Sequence, residues 1–302
     1  MGRLDYVSVL LRLTGMELYK IRRRLMSKVL TFISVISTIS LFGLLALAAF
    51  LMTKNGTPSE DIQRFSASLR LPDSLSLVVQ LLLTLGQILI IILVSTIVGG
   101  EYTDKTVRLM LTRGPTRAQF LLSKIGASLV SIVLGVVGLT LLGVLIGLML
   151  NFTTGIIPVF HFFSMSWLIH TLLYLLITML GLFTYAMMAL FLATLGRATA
   201  AGLAGVLTWS FLIEPAISVI GLFGKTINGP LGSLFQSLPD YLIGSNITVL
   251  LQSQYVYIFS LPAGPQIPET STDIHAMLVI TVYLTVFIGI ALWVKSHRDV
   301  LI

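Results

Sequence analysis

The sequence has no cysteine and few charged residues. The absence of cysteine from the 302 residues excludes disulfide bonds and thiolate metal sites. Charged residues make up only 10% of the chain, against about a quarter in soluble domains. This shortage of charge argues against a soluble globular protein and directs attention to the apolar segments.

Long runs without any charge are abundant, and 56% of the residues are hydrophobic. A helix needs about 20 apolar residues to cross roughly 30 Å of hydrocarbon. We therefore expect an all-α polytopic membrane protein, forming a single transmembrane domain over residues 1–302. Six spans are predicted, at about 29–52, 75–98, 125–150, 166–195, 198–213 and 274–294.

The positions of lysine and arginine predict the orientation of these spans. Residues 1–28 contain seven of them, 99–124 five, 295–302 two, and Arg197 lies between the fourth and fifth spans. With the N-terminus inside, only four remain outside, as the excess of positive charge in cytoplasmic loops requires. Both termini are expected in the cytoplasm, in the plasma membrane of a prokaryote. The net charge of +7 fits contact with anionic lipids, and no nucleic-acid partner is expected.

The N-terminal segment 1–28 combines apolar residues at helical spacing with a basic remainder. The apolar positions three to four residues apart are Leu11, Leu18, Ile21 and Leu25. This pattern predicts an interfacial helix on anionic lipid headgroups. The alternative is a basic flank that only sets the topology.

The cytoplasmic loop at 99–124 is a charged island between two apolar spans. Its first part, "EYTDKTVRLMLT" at 101–112, has no proline or glycine and predicts a short helix. The acidic Glu101 and Asp104 lie in the first turn, where the helix dipole favours negative charge. A helix exposed at the inner surface is suited to docking with a soluble partner, whereas the alternative is a solvated loop that sets topology.

The second part of this loop leads back into the membrane. "RGPTR" interrupts the short helix, and another helix is predicted to start at about Pro115. Arg117 and Lys124 are expected at the level of the lipid headgroups.

The loop and its flanks resemble a motif of the type-2, exporter-like permeases of ATP-binding cassette (ABC) transporters. The residues that match this motif in order and spacing are Glu101, Thr106, Pro115 to Arg117 and Lys124. Those permeases have a glutamate after the second span, a Gly-Thr that leads a helix, a Pro-x-Arg, and a lysine that enters the third span. Lys105 replaces the glycine here. The order of spans and loops is similar over the whole chain.

The resemblance implies that the short helix is a coupling helix, which sits in a groove of a cytoplasmic ATPase. The implied coupling residues are Glu101, Tyr102, Asp104, Lys105, Thr106, Arg108 and Arg117. The phosphate-binding pattern GxxxxGK[ST] is absent from the sequence, so the ATPase is expected on a separate chain, in two copies. ATP and Mg²⁺ would bind that partner, and this chain is expected to bind no cofactor. A homodimer, or a heterodimer with a similar permease, is also implied.

Weakly polar side chains recur at helical spacing within the first and second spans. They are Ser34 and Thr38 in the first, and Gln80, Thr84 and Gln87 in the second. Because polar groups avoid hydrocarbon, these side chains are expected to face other helices or a pathway. One interpretation is hydrogen bonding between helices; the other is a mildly polar path for an amphipathic substrate.

Glu214 is an acidic residue within an apolar region. The pair Glu214–Pro215 is predicted to end the fifth span, and helical rise from Arg197 puts the carboxylate near the outer interface. Residues 214–273 are expected to form short external re-entrant helices. Glu214 then has two interpretations, a part of an outer gate or a structural cap.

Two other classes of function remain. A secondary, ion-coupled transporter would need more charge within the membrane than this sequence provides. An intramembrane lipid-modifying enzyme is disfavoured because HExxH, GxSxG and paired intramembrane carboxylates are all missing. The favoured prediction is a non-catalytic permease subunit that exports an amphipathic or hydrophobic substrate.

Overall fold

The computed structural model describes residues 3–54, 68–69, 71–103, 116–153, 163–224, 226–227, 229–259 and 272–297. Side chains are described for all of these except residues 3–6, 53 and 151–153. Within these ranges the regular structure is entirely helical, and six helices are long and apolar enough to cross a membrane. The predicted all-α polytopic fold is confirmed.

The helices follow the predicted order along the chain. An N-terminal helix, α1, covers Arg3–Arg23. The six spans are α2 (Leu25–Lys54), α3 (Ser74–Thr103), α4 (Arg117–Thr153), α5 (Met165–Gly196), α6 (Thr199–Gly224) and α9 (Asp273–His297). Two shorter helices, α7 (Pro230–Ser237) and α8 (Ile243–Ile258), lie between the fifth and sixth spans, separated by a 3₁₀ turn at Leu238–Tyr241.

The fifth span is longer than the sequence predicts. Helix α6 continues through Glu214 and Pro215 to Gly224, so the prediction that this pair ends the span is wrong. A π turn at Trp209–Ile213 directly precedes the pair. This wider turn relieves the clash that Pro215 would make with the carbonyl four residues earlier, and the helix can therefore continue.

Helix α5 is the centre of the bundle. It packs against α3, α6, α8 and α9, and Phe191 of α5 stacks on Phe287 of α9 with ring centroids 5.7 Å apart. In the most apolar 18-residue stretch of α5, 56% of the residues are buried. The same measure is 11% for α2, which lies at the periphery. Helix α1 packs along α4. Apart from the short α7, the described helices thus divide into a central group (α3, α5, α6, α8 and α9) and a peripheral group (α1, α2 and α4).

Small residues bring the second, fourth and fifth spans together near the turn between α5 and α6. A Cβ atom at Gly202 of α6 would lie 2.8 Å from the Ala189 carbonyl oxygen of α5 and 2.8 Å from the Ser95 hydroxyl of α3. Close packing of small residues is the usual way for helices to associate in lipid, where no hydrophobic force drives them together. This three-helix junction lies at Gly202.

The junction predicts an unequal effect of two glycine-to-alanine substitutions. Gly202→Ala should destabilise the protein by about 1–3 kcal/mol, the usual cost of overpacking, because backbone must shift to admit the methyl group. Gly138 of α4 has no atom within 4 Å of its Cβ position, so Gly138→Ala should be neutral or stabilising. Thermal unfolding of both variants in detergent measures this difference. Equal midpoints for the two would contradict the proposed junction.

Candidate functional site

The two ends of the loop between α3 and α4 are well defined. Glu101 lies in the last turn of α3, and α4 begins at Arg117 with Thr116 as the preceding cap. The Thr116 amide donates to the Gln119 side-chain oxygen at 3.0 Å, and the Gln119 amide donates to the Thr116 hydroxyl at 3.2 Å. This reciprocal pair is a capping box, which satisfies two backbone donors at the start of the third span.

Four charged side chains alternate in sign around a closed ring at the base of this loop. Lys20 and Glu17 belong to α1, Glu101 to α3 and Lys124 to α4. The nitrogen–oxygen distances are 2.7 Å for Lys20–Glu17, 3.6 Å for Glu17–Lys124, 2.9 Å for Lys124–Glu101 and 3.5 Å for Glu101–Lys20. We refer to these four residues as the base cluster. It connects the N-terminal helix to both spans that flank the loop.

The base cluster differs from a surface ion pair because most of its side chains are buried. The Lys124 side chain is only 1% exposed, and those of Glu101 and Glu17 are 5% and 8% exposed. Helices enclose Lys124, so its side chain faces the protein and not the lipid; its expected depth at the headgroup level stays a prediction. A buried ammonium group requires partners, and Lys124 Nζ also donates to the Ile97 carbonyl oxygen at 2.8 Å.

The inner end of the sixth span contacts both sides of the same loop. Lys295 Nζ donates to the Tyr102 hydroxyl at 2.9 Å, and it lies 4.7 Å from the ring centroid of Phe120. Arg117 Nη1 donates to the Ser296 carbonyl oxygen at 3.3 Å. A displacement of the loop ends would therefore reach α1 through the base cluster and α9 through these contacts.

The structure brings three of the implied coupling residues, Glu101, Tyr102 and Arg117, into these contacts. Four others lie outside the described residues: Asp104, Lys105, Thr106 and Arg108. The helix predicted at 101–112 is described only as far as Thr103, where α3 ends. The roles of all seven in coupling stay predictions.

The polar residues of the first span bond within their own helix. The Ser34 hydroxyl donates to the Leu30 carbonyl oxygen at 2.7 Å, and the Thr38 hydroxyl donates to the Ser34 carbonyl oxygen at 2.8 Å. Thr38 is fully buried, and Ser34 is half-buried. The single proton of each hydroxyl is therefore donated to the carbonyl one turn earlier in the same helix. Hydrogen bonding of these hydroxyls between helices, through their oxygen atoms, stays a prediction.

The polar residues of the second span do not form one stripe. Gln80 and Thr84 are exposed, whereas Gln87 is buried at 7% exposure. In a regular α-helix residues seven apart share a face, but a π turn at Leu82–Gly86 separates Gln80 from Gln87. The extra residue of the turn rotates Gln87 by about 100°. Thr84, like the hydroxyls of the first span, donates within its helix, to the Gln80 carbonyl oxygen at 2.8 Å.

Glu214 is buried within the bundle rather than at its outer end. Its Oε2 atom accepts from the Tyr185 hydroxyl at 2.8 Å and from the Gly244 amide at 3.3 Å, and its Oε1 atom accepts from the Trp209 indole at 2.8 Å. Tyr185 lies eleven residues from the C-terminal end of α5 at Gly196, a rise of about 16 Å. Glu214 is therefore closer to the middle of the helix bundle than the sequence predicts.

Sequence reasoning missed three residues of these sites: Glu17, Lys295 and Trp209. Glu17 was detectable as an acid three residues before Lys20 in a basic helix, and Thr-x-x-Gln at 116–119 as a capping box. For Lys295 and Trp209 the sequence has no such signal, because their partners are far away in the chain or require a π turn.

Six apolar helices with buried ion pairs at one end define a multi-pass membrane protein whose charged contacts surround one loop. Residues 13–208, nearly two thirds of the chain, match the profile of a family described as ABC-2 family transporter protein. The chain belongs to this family, and it is an ABC transporter permease. No curated protein matches the chain. Family membership implies a partner ABC ATPase.

The base cluster predicts a large cost for removing one charge and a less than additive cost for removing two. Lys124→Met leaves two buried carboxylates with Lys20 alone, and it should lower stability by about 3–5 kcal/mol. The double variant Glu101→Gln/Lys124→Met should lose less than the sum of the single losses.

Thermal unfolding in detergent measures these effects, with Lys28→Met as the control because Lys28 is exposed. Additive losses, or an equal loss for Lys28→Met, would show that the four charges do not act as one ring.

Proposed function

We infer that this chain is the membrane subunit of an ABC exporter, which moves an amphipathic or hydrophobic substrate with ATP hydrolysed on a separate subunit. Two copies of that ATPase, binding ATP and Mg²⁺, would serve a permease homodimer or a heterodimer with a similar chain. The observation that carries this inference is the base cluster, together with the Lys295 and Arg117 contacts. These contacts fasten both ends of the loop at 104–115 to separate parts of the bundle.

The arrangement suggests how movement of the loop would spread. Glu101 belongs to the central group of helices, whereas Glu17, Lys20 and Lys124 belong to the peripheral group. An ATPase that displaced the loop would act on both groups at their shared charged contact. Because coupling needs contacts that differ between two states, we propose that rearrangement of the base cluster accompanies the change from inward-open to outward-open.

The exposed polar residues of the second span are the proposed substrate contacts. Gln80 and Thr84 project from the bundle instead of into it, on a span that is otherwise strongly apolar. A polar side chain is costly in hydrocarbon, so we propose that this face meets the second permease across a pathway. The half-buried Ser34 and the buried Thr38 and Gln87 are secondary candidates.

Recovery of the ATPase tests the coupling assignment. The tagged chain, purified in mild detergent from its native membrane, should bring with it a stoichiometric chain carrying a Walker motif, identified by mass spectrometry. Thr106→Trp should release this partner or uncouple its ATPase activity from transport. Thr226→Trp is the matched control, because Thr226 is exposed at the other end of the bundle. Purification of the chain alone and without ATPase activity would refute the exporter assignment.

Water access to Gln80 tests the proposed pathway. Because the chain has no cysteine, a single cysteine is the only thiol. Thiolates form in water and not in hydrocarbon, so Gln80→Cys should react with a polar maleimide faster than Leu141→Cys, which is 58% exposed on α4. The rates are compared in membranes that contain the assembled transporter. Equal rates would indicate that Gln80 faces lipid.

A further inference from the structure

Helix α8 starts inside the membrane and ends near the outer end of the bundle. A Cβ atom at Gly244, in its first turn, would lie 3.3 Å from the Tyr185 hydroxyl, which is about 16 Å from the inner end of α5. At its other end, the Trp167 indole donates to the Ile258 carbonyl oxygen at 3.3 Å, and Trp167 is close to the outer end of α5. The 16 residues of the helix therefore extend for about 24 Å from this depth toward the outer end of the bundle.

A helix that begins at this depth has a difficulty that surface helices avoid. Its first amide groups have no carbonyl partner in the helix, and no water is available in hydrocarbon. The residue before α8, Leu242, has no side-chain oxygen that could accept from them. The acceptor comes from another helix, because Glu214 Oε2 of α6 accepts from the Gly244 amide.

In the part of the chain that the structure describes, neutral donors stabilise the carboxylate of Glu214. The Tyr185 hydroxyl and the Trp209 indole donate to it in addition to Gly244. The positive end of the α8 dipole faces the same carboxylate, which favours a negative charge there. The carboxylate of Glu214 and the N-terminus of α8 thus stabilise each other, and burial of either one without the other would be unfavourable.

Two local features of the chain permit this contact. In a regular α-helix Trp209 and Glu214, five residues apart, would point about 140° away from each other. The π turn at Trp209–Ile213 places them on the same side, and the indole reaches the carboxylate. At Gly244 a Cβ atom would lie only 2.7 Å from Glu214 Oε2, so glycine permits the close approach.

The rest of α8 is also attached to its neighbours. Ile247, Leu250 and Leu251 are buried against the bundle. His170 of α5 forms a hydrogen bond of 2.8 Å with Gln254 and stacks on Tyr257 with centroids 4.2 Å apart. These contacts extend over the length of the helix, and they describe a docked element and not a loosely placed flap.

We propose that Glu214 is a positioning residue that caps α8 within the membrane, and that α8 stays docked on α5 and α6 throughout the transport cycle. Glu214 is on this view a permanent cap and not a gate that opens. Opening of the outer end takes place elsewhere in the assembly, and α8 moves with the central group of helices. The transport part of this inference rests on the proposed exporter function, whereas the capping part does not.

A cysteine pair tests the docking without any transport measurement. The Cβ position of Gly181 in α5 lies 2.9–3.4 Å from three side-chain atoms of Ile247 in α8, so Gly181→Cys/Ile247→Cys should form a disulfide rapidly in oxidised membranes. Adding Glu214→Leu should slow cross-linking several-fold because the cap is lost. Ser218→Leu, one turn further along α6, is the control and should leave the rate unchanged.

Tyr185→Phe provides a milder test if Glu214→Leu does not accumulate in the membrane. It removes one donor to Glu214 and keeps the ring, so cross-linking of the pair should slow to a smaller extent. An unchanged rate in both Glu214→Leu and Tyr185→Phe would overturn the capping role.

The same cysteine pair tests whether α8 moves during transport. In the reconstituted transporter complex, oxidation should leave ATP-driven transport within about twofold of the reduced sample, a change of about 0.4 kcal/mol in activation free energy. Transport that stops on oxidation and returns on reduction would overturn the docked state. If ATP drives no transport even before oxidation, the exporter assignment fails, while the cross-linking result on capping stands by itself.

Discussion

The buried ammonium group of Lys124 is the constraint on which the end of the bundle beside the base cluster depends. A side chain that is 1% exposed cannot keep its charge without anionic partners, and it takes them from two other helices, as Glu17 and Glu101. The N-terminal helix must therefore lie against the start of the third span. The second span must end where Glu101 can reach the same nitrogen, and this fixes the two points from which the loop at 104–115 departs.

A second buried acidic side chain, Glu214, is accommodated in a different way. The base cluster compensates charge with opposite charge, whereas Glu214 is compensated by neutral donors and a helix terminus. The difference follows from the position of each group along the bundle. Lysine side chains are available at the end of the bundle beside the base cluster, whereas burying a lysine in the middle of the bundle would cost free energy. The first arrangement links two groups of helices, and the second lies wholly within the central group.

The sequence predicted the features that follow from composition and regular periodicity. Hydrophobic runs are sufficient to predict the six spans, because length and lack of charge define a span. The order of residues from Glu101 to Lys124 was sufficient to indicate the family. Three features were not predictable in this way. Pro215 does not end a helix that contains a π turn, Gln80 and Gln87 do not share a face across another π turn, and the depth of Glu214 depends on Tyr185 and Gly244. All three depend on departures from 3.6-residue winding or on partners distant in sequence.

The π turn in the second span also affects how the chain is compared with other sequences. A π turn is equivalent to one residue inserted into an α-helix, so the segments before and after Leu82–Gly86 are out of phase by one position. An ungapped alignment with a regularly wound helix would match the buried faces on one side of the turn and mismatch them on the other. Functional positions transferred from such a helix to the segment starting at Gln87 are therefore shifted by one residue.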